Sequence, residues 1–129
     1  MIKAKSIMHR GIGVRPNATG REIAYKFMST GYPGLPVVDE NKEVIGIVTE
    51  FDLLGALREG FKVDEITAER IMSKEPKTVD MDTPVTELIE MMLENNFTMI
   101  PVVRGKKMMG VISRSEIIVA YVEPGYFEE

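Results

Sequence analysis

One pattern occurs twice and fills the chain. GIVTEFDLL, Gly46 to Leu54, returns as GVISRSEII, Gly110 to Ile118, with glycine, hydroxyl residue, carboxylate and apolar pair in the same order. Ile7-Met8 returns as Ile71-Met72, and these pairs, like the two glycines, stand 64 residues apart. Leu35-Pro36-Val37-Val38 matches Ile100-Pro101-Val102-Val103 at a spacing of 65, so the second copy gains a residue early and loses one in its turn. The copies run over residues 1–62 and 63–129, the second with a short C-terminal tail. A unit of about sixty residues cannot bury both faces of a small sheet alone. The two copies are therefore expected to pack sheet against sheet, about a pseudo-twofold axis, as one compact α+β module.

Each copy reads as β-α-β-β-α. Thr19 and Glu22 form a T-x-x-E capping box, Ile23 and Phe27 share a helical face, and Gly31 stands where a helix needs a left-handed end, which predicts a helix from about Thr19 to Thr30. In the second copy Thr83 is the expected cap, with Pro84 at the first helical position. Val85, Leu88, Ile89 and Met92 then follow the stripe of a buried face. Asn96 replaces Gly31, and Asn is the next best residue for a left-handed helix end. A strand hairpin follows each helix, turning at Asp39-Glu40-Asn41-Lys42 or Arg104-Gly105-Lys106-Lys107, with second strands over Val44 to Val48 and Met108 to Ile112. Closing helices run from Thr49 to about Glu59 and from Ser113 to about Val122, and short opening strands lie near Ile12 to Val14 and Thr78 to Asp80.

Composition removes several classes of function. With 16 basic and 20 acidic residues the net charge is −4, which favours neither nucleic acid nor an anionic membrane surface. No apolar run is long enough to span a bilayer, and MIKAKSIMHRG lacks the apolar stretch of a signal peptide, so a cytoplasmic protein is expected. Zero cysteines exclude disulfides, thiolate metal sites and a cysteine nucleophile. Gln and Trp are absent too, which fits a hot habitat, although ten methionines weigh against it.

The duplicated series of Ile-Met, capped helix, hydrophobic-Pro-Val-Val and Gly-hydrophobic-hydrophobic-Thr/Ser-x-x-acid resembles a pair of cystathionine-β-synthase (CBS) domains, the Bateman module, over nearly the whole chain. The resemblance implies clefts between the repeats that bind AMP, ADP, ATP, S-adenosylmethionine or methylthioadenosine. It also implies a homodimer of four repeats and regulation of an effector protein that the sequence does not identify. An adenosyl ligand needs an apolar slot for its purine, a carboxylate for its ribose hydroxyls and donors for any phosphate. In the first copy Gly13, Val14, Leu35, Pro36 and Ile47 are candidates for the slot, with Thr49 and Asp52 toward the ribose. In the second, Thr78, Val79, Ile100, Pro101 and Ile112 match these, followed by Ser113 and Glu116. By resemblance Asp52 is the best ribose acceptor, and Glu116 departs from the family's usual Asp by one methylene.

The turns after the hydroxyls also differ, Glu50-Phe51 against Arg114-Ser115. If they face the phosphate end, as the resemblance suggests, the first cleft prefers uncharged or cationic adenosyl compounds and the second prefers nucleotides. A local explanation competes for the same residues. Thr49-x-x-Asp52 and Ser113-x-x-Glu116 are also capping boxes, and Glu suits that role better than Asp. Arg114 at a helix start opposes the macrodipole unless something holds it. Lys106-Lys107 reads as a solvated turn, His9 as a surface residue, and Pro36 and Pro101 as structural first. The crowded Met91, Met92, Met99, Met108 and Met109 read as core filler, and the terminal Tyr126-Phe127 as a cover for the core or a partner contact.

A ligand-sensing regulatory module is therefore favoured, with no cofactor and no metal. The alternative is a structural or dimerising CBS pair acting through protein contacts. Catalysis has little support from a sequence with one histidine, no cysteine, no Gly-rich phosphate loop and no metal-ligand spacing.

Overall fold

Thr19 opens the first long helix as its sequence dictates. Its hydroxyl accepts the Glu22 N–H at 3.2 Å while the Glu22 carboxylate returns to the Thr19 backbone, and Gly31 ends the helix at φ 74°. The computed structural model describes Met1–Phe127. Its elements are α1 (Ala4–Ile7), α2 (Gly20–Thr30), β1 (Gly34–Val38), β2 (Val44–Thr49), α3 (Glu50–Arg58), α4 (Ala68–Ile71), β3 (Ser73–Lys74), β4 (Val79–Asp80), α5 (Val85–Asn95), β5 (Met99–Arg104), β6 (Lys107–Ser113) and α6 (Arg114–Val122). Among the described residues no helix is long and apolar enough to cross a membrane.

The packing divides the chain into two units that do not coincide with the sequence copies. One unit is Ile12–Pro76; the other joins Met1–Gly11 to the chain from Lys77 onward. In the first, β1, β2 and β3 form a sheet with antiparallel pairs, and α2 and α3 close a core of Ile23, Phe27, Leu35, Val37, Val48 and Leu53. In the second, β4 runs parallel to β5 and β5 antiparallel to β6, over a core that includes Ile7, Leu88, Met92, Ile100, Val102 and Ile112.

A segment of the other copy completes each unit. The N–H of Ala68 donates to the Ala18 carbonyl and that of Glu69 to Pro16, while in the other unit Ala4 donates to Thr83 and Lys5 to Met81. The first N–H of α2, on Gly20, donates to the Ile66 carbonyl, and that of α5, on Val85, to Ile2. These N–H groups have no partner inside their own helix, so the incoming segment satisfies them. It then runs along the sheet edge. Ser73 pairs with Ile47, and His9 pairs with Val111.

This exchange explains why Ile-Met and Gly repeat together. A Cβ at Gly46 would overlap the Met72 sulfur and come within 2.9 Å of the Ser73 carbonyl; one at Gly110 would lie 2.9 Å from Met8 Cγ and 3.0 Å from the His9 carbonyl. Only glycine lets the crossing segment lie this close.

Two expectations about elements need correction. Thr83 is not the cap of α5. Its hydroxyl turns back to Asp80 Oδ1 at 3.2 Å, the same oxygen that accepts the Asp82 N–H at 2.8 Å, so the helix starts one residue later with Pro84 as an extended N-cap. The opening strand near Ile12 reduces to one parallel bridge, Val14 to Val37, held by Val14 N–H to the Pro36 carbonyl and Val38 N–H to the Val14 carbonyl. Gly13 on one side and Pro16, which has no N–H, on the other stop the ladder. The four-residue helices α1 and α4 and the strand β3 were not anticipated.

Candidate functional site

The hairpin register sorts the candidate residues by face. Leu35 opposes Val48 and both enter the core, while Pro36 opposes Ile47 on the other face of the sheet. Gly13 joins that second group, since a Cβ there would lie 3.4 Å from the Pro36 carbonyl and 3.9 Å from the proline ring. Val14 is bonded beside Pro36 but buries its side chain in the core. In the other unit Ile100 opposes Ile112, and Pro101 opposes Val111. Ile112 is thus not the counterpart of Ile47. It lies in the core with Ile100 and Val79, and Val111 takes the place beside Pro101. The physical reason is the shorter second turn, which returns the offset from 65 to 64 before the second strand, so that matching Ile47 at 65 lands one residue late, on the opposite face. Thr78 is half-buried and directly precedes β4.

Beyond the hairpins, each second strand ends in its hydroxyl residue and passes straight into a helix. The Thr49 N–H and hydroxyl both donate to Asp52 Oδ2, at 2.8 and 3.0 Å, and the Asp52 N–H donates to Thr49 Oγ1 at 3.2 Å. Both residues are half-buried. Among the described residues Oδ1 of Asp52 takes no part in these bonds. Glu116 works otherwise: its Oε1 accepts the Ser113 N–H at 3.0 Å and its Oε2 accepts the Ser113 hydroxyl at 2.7 Å. The extra methylene lets the Glu carboxylate straddle the cap, and Ser113 is only 6% exposed.

The residues between hydroxyl and acid also have structural partners. Arg114 is exposed, yet its Nε donates to the Phe97 carbonyl at 3.0 Å and its Nη2 to Asn96 Oδ1 at 3.1 Å. Asn96 is the left-handed end of α5, φ 54°, so the arginine ties the start of α6 to the end of α5 and satisfies a carbonyl there. This is the physical reason for a cation at a helix start. It flanks a surface groove of about 380 Å³ between α5 and α6, lined also by Ile89, Leu93, Ile117 and Ile118. Ser115, Glu50 and Phe51 are exposed, Phe51 at 85%.

Residues outside the candidate set fall into place as well. His9 acts through its backbone, which exchanges two hydrogen bonds with Val111. Met92 and Met99 are buried, and Met91 packs against the core. Phe127 folds back onto the same core with Tyr126 edge-on at 4.9 Å, while the final two residues of the tail lie outside the described residues. Sequence reasoning missed Val111, Met8 and Met72. The repeat of Ile-Met at the offset of the glycines was the signal that could have found the last two.

The CBS domain model matches twice, at residues 4–59 and 68–123. An uncharacterised protein of Methanopyrus kandleri is 35% identical over 111 residues, which are 84% of this chain and 56% of that protein, so the chain spans little more than half of its relative. Among solved structures, CBSX2 in complex with AMP superposes with a TM-score of 0.84 at 21% identity, covering 96% of this chain and 98% of that one. A CBS domain pair in complex with 5′-methylthioadenosine and S-adenosyl-L-methionine superposes at 0.82 with 24% identity and the same coverage. At these identities the likeness establishes the fold.

Proposed function

The chain belongs to the CBS-domain family, and from that premise we propose that it is a regulatory module that binds an adenosine-containing ligand and transmits occupancy to a partner protein. One observation carries this reading. At the β2–α3 junction Asp52 holds its cap through Oδ2 and leaves Oδ1 uncommitted, in a half-buried position one strand end away from Ile47 and Pro36. A carboxylate in that state can accept ribose hydroxyls without unmaking the helix start. The complexes of related pairs with AMP, 5′-methylthioadenosine and S-adenosyl-L-methionine support an adenosyl compound as the ligand class. Arg114 gives Nε and one Nη2 N–H to Phe97 and Asn96, so any part it takes in holding a phosphate falls to the remaining donors of its exposed guanidinium.

The module is proposed to act as a homodimer. Tyr25, Met28, Phe51 and Leu54 on α2 and α3, and Leu93, Ile118 and Val122 on α5 and α6, leave large apolar side chains more than half exposed on helices. A second copy would bury such surface.

Native mass spectrometry of freshly purified protein, followed by calorimetric titration with AMP, 5′-methylthioadenosine and S-adenosylmethionine, tests the proposal. A retained or titratable adenosyl compound with micromolar affinity is expected. A folded protein that retains none and binds none leaves the structural, dimerising alternative.

A further inference from the structure

The helix faces of the two units are unlike in shape and in charge. In the unit that holds α5 and α6, the groove of about 380 Å³ is lined by Ile89, Leu93, Ile117 and Ile118, with Arg114 at its rim. The residue after Arg114 is the small, exposed Ser115. At the offset of 64 the other unit has Glu50 and Phe51, the first two residues of α3. Phe51 is 85% exposed, more than any other aromatic residue described. Among the described residues the Glu50 carboxylate has no hydrogen-bond or ion-pair partner. One unit thus presents a ring beside an anion, and the other an apolar hollow beside a cation.

Charge on the neighbouring helices runs the same way. The exposed Glu87, Glu90 and Glu94 lie on α5, which has no basic residue, whereas α2 carries Arg21 and Lys26 and the single acid Glu22. Two copies meeting through like faces would set the three α5 carboxylates against the same three, and like charges opposed across an interface work against it. We propose that the α2–α3 face of one copy docks on the α5–α6 face of a second copy, with Phe51 seated in the partner's groove and Glu50 against the partner's Arg114. A twofold axis repeats the contact, so each copy gives one ring and receives one. Arg114 keeps donors for this, since only its Nε and one Nη2 hydrogen go to Phe97 and Asn96. Those two bonds also hold the guanidinium at the rim, so it loses little freedom on meeting a carboxylate. The inference rests on the homodimer reading and deepens it, because it names an unlike pairing of faces.

Glu50→Arg, Arg114→Glu, the variant with both changes and Phe51→Ser would be compared with the parent full chain by sedimentation equilibrium, with melts to show folding. Phe51→Ser gives α3 the residue that α6 has at the matching place, and the exposed ring adds little to the chain's own core. Each single reversal sets like charges together at both contacts of the pair, and the dimer Kd should rise about tenfold or more, as it should in Phe51→Ser. The double reversal restores unlike charges and should return the Kd to within about threefold of the parent. That recovery separates docking from local damage, because a change in α3 cannot replace the bonds Arg114 makes to Phe97 and Asn96. A dimer that no single change weakens, or a double variant no tighter than the weaker single, would overturn the inference and leave the homodimer reading standing. A parent that stays monomeric at every concentration measured would overturn both.

Discussion

The unit of residues 12–76 and the unit that joins residues 1–11 to the second half are built by the same hydrogen bonds at the same offsets, yet they differ wherever a side chain is asked to do a backbone's work. Gly31 and Asn96 both end a helix in the left-handed region, but Asn96 also brings a side chain, which accepts a hydrogen bond from Arg114. Thr19 caps α2 in a reciprocal box, whereas α5 starts at Pro84 after the Asp80 carboxylate has captured Thr83. The crossing segment shows the sharpest contrast. Ile7 is 1% exposed in its unit's core, while its counterpart Ile71 is only partly buried. A duplicated fold thus fixes where the chain must go and leaves open which chemistry holds it there.

The largest effect should come from removing that crossing segment. Deletion of Met1–Met8 takes the fully buried Ala4 and Ile7 from one core and removes the partners of the Val85 N–H and the Gly110 edge. Losing the isoleucine side chain alone costs about 2–5 kcal/mol. Hydrogen exchange should therefore show residues 79–122 losing protection broadly while 20–58 keep theirs. Equal loss in both regions would show that the two units do not fold with separate stabilities.

How much of this was legible in the sequence follows from which signals are local. The helices announced themselves through caps and spacing, and the left-handed ends through Gly31 and Asn96. The crossing segments did not, because four-residue helices have no period to read, and their contacts with Ala18, Thr83 and the glycines join residues roughly 25 to 100 positions apart. The candidate site was half legible. That Glu116 is one methylene longer than Asp52 is plain in the sequence, but which oxygens stay free depends on where the longer chain places them, and that is a property of the folded cap. The misplacement of Ile112 has a simpler origin: the second strand keeps the offset of 64 that Gly46 and Gly110 set, and a match one residue late picks the opposite face of a strand.

The glycines offer the next test. Gly46→Ala forces a methyl against the backbone carbonyl of Ser73 as well as the Met72 side chain, and Gly110→Ala meets the His9 carbonyl and Met8. Overpacking of this kind costs about 1–3 kcal/mol, with Gly46→Ala expected at the upper end. Shortening the methionine in the same molecule, Met72→Ala with Gly46→Ala or Met8→Ala with Gly110→Ala, should recover part of the loss in chemical denaturation. A double variant worse than the sum of its singles would show that the methionine does not meet the glycine.

Caps give a smaller contrast. Thr19→Val keeps the shape and removes a reciprocal box, so about 1 kcal/mol should be lost. Thr83→Val removes a single 3.2 Å bond to the exposed Asp80, outside the helix's own cap, and about 0.5 kcal/mol is expected. Equal losses would place Thr83 in a capping role after all.

The smallest expected effects belong to the ion pairs that pin each crossing region, and here the units have reversed polarity. In one, the helix supplies the cation: Arg21 Nε donates to Asp64 Oδ1 at 2.9 Å and Nη2 to Oδ2 at 3.2 Å. In the other the crossing segment supplies it, with Lys5 Nζ at 3.1 Å and Lys3 Nζ at 3.8 Å from Asp82 Oδ1. The hydrogen bond from Arg21 holds the Asp64 carboxyl below the ordinary aspartate range, and the hydrogen bond and charge of Lys5, with the charge of Lys3, do the same for Asp82. A carboxylate with a lowered folded-state pKa contributes stability above its unfolded value and loses that contribution as pH falls through the folded one, so both pairs act at neutral pH and fade below about pH 4. All the groups are exposed, and salt at 1 M, where the screening length is about 3 Å, should weaken both. The bidentate arginine contact should resist better than the lysines, because its planar fork keeps two bonds in place where an ammonium keeps only charge. Melting curves of Asp64→Asn and Asp82→Asn at low and high salt test this. The Asp82 variant should differ from the parent only at low salt and the Asp64 variant at both, and the reverse order would mean that the fork in α2 adds nothing beyond its charge.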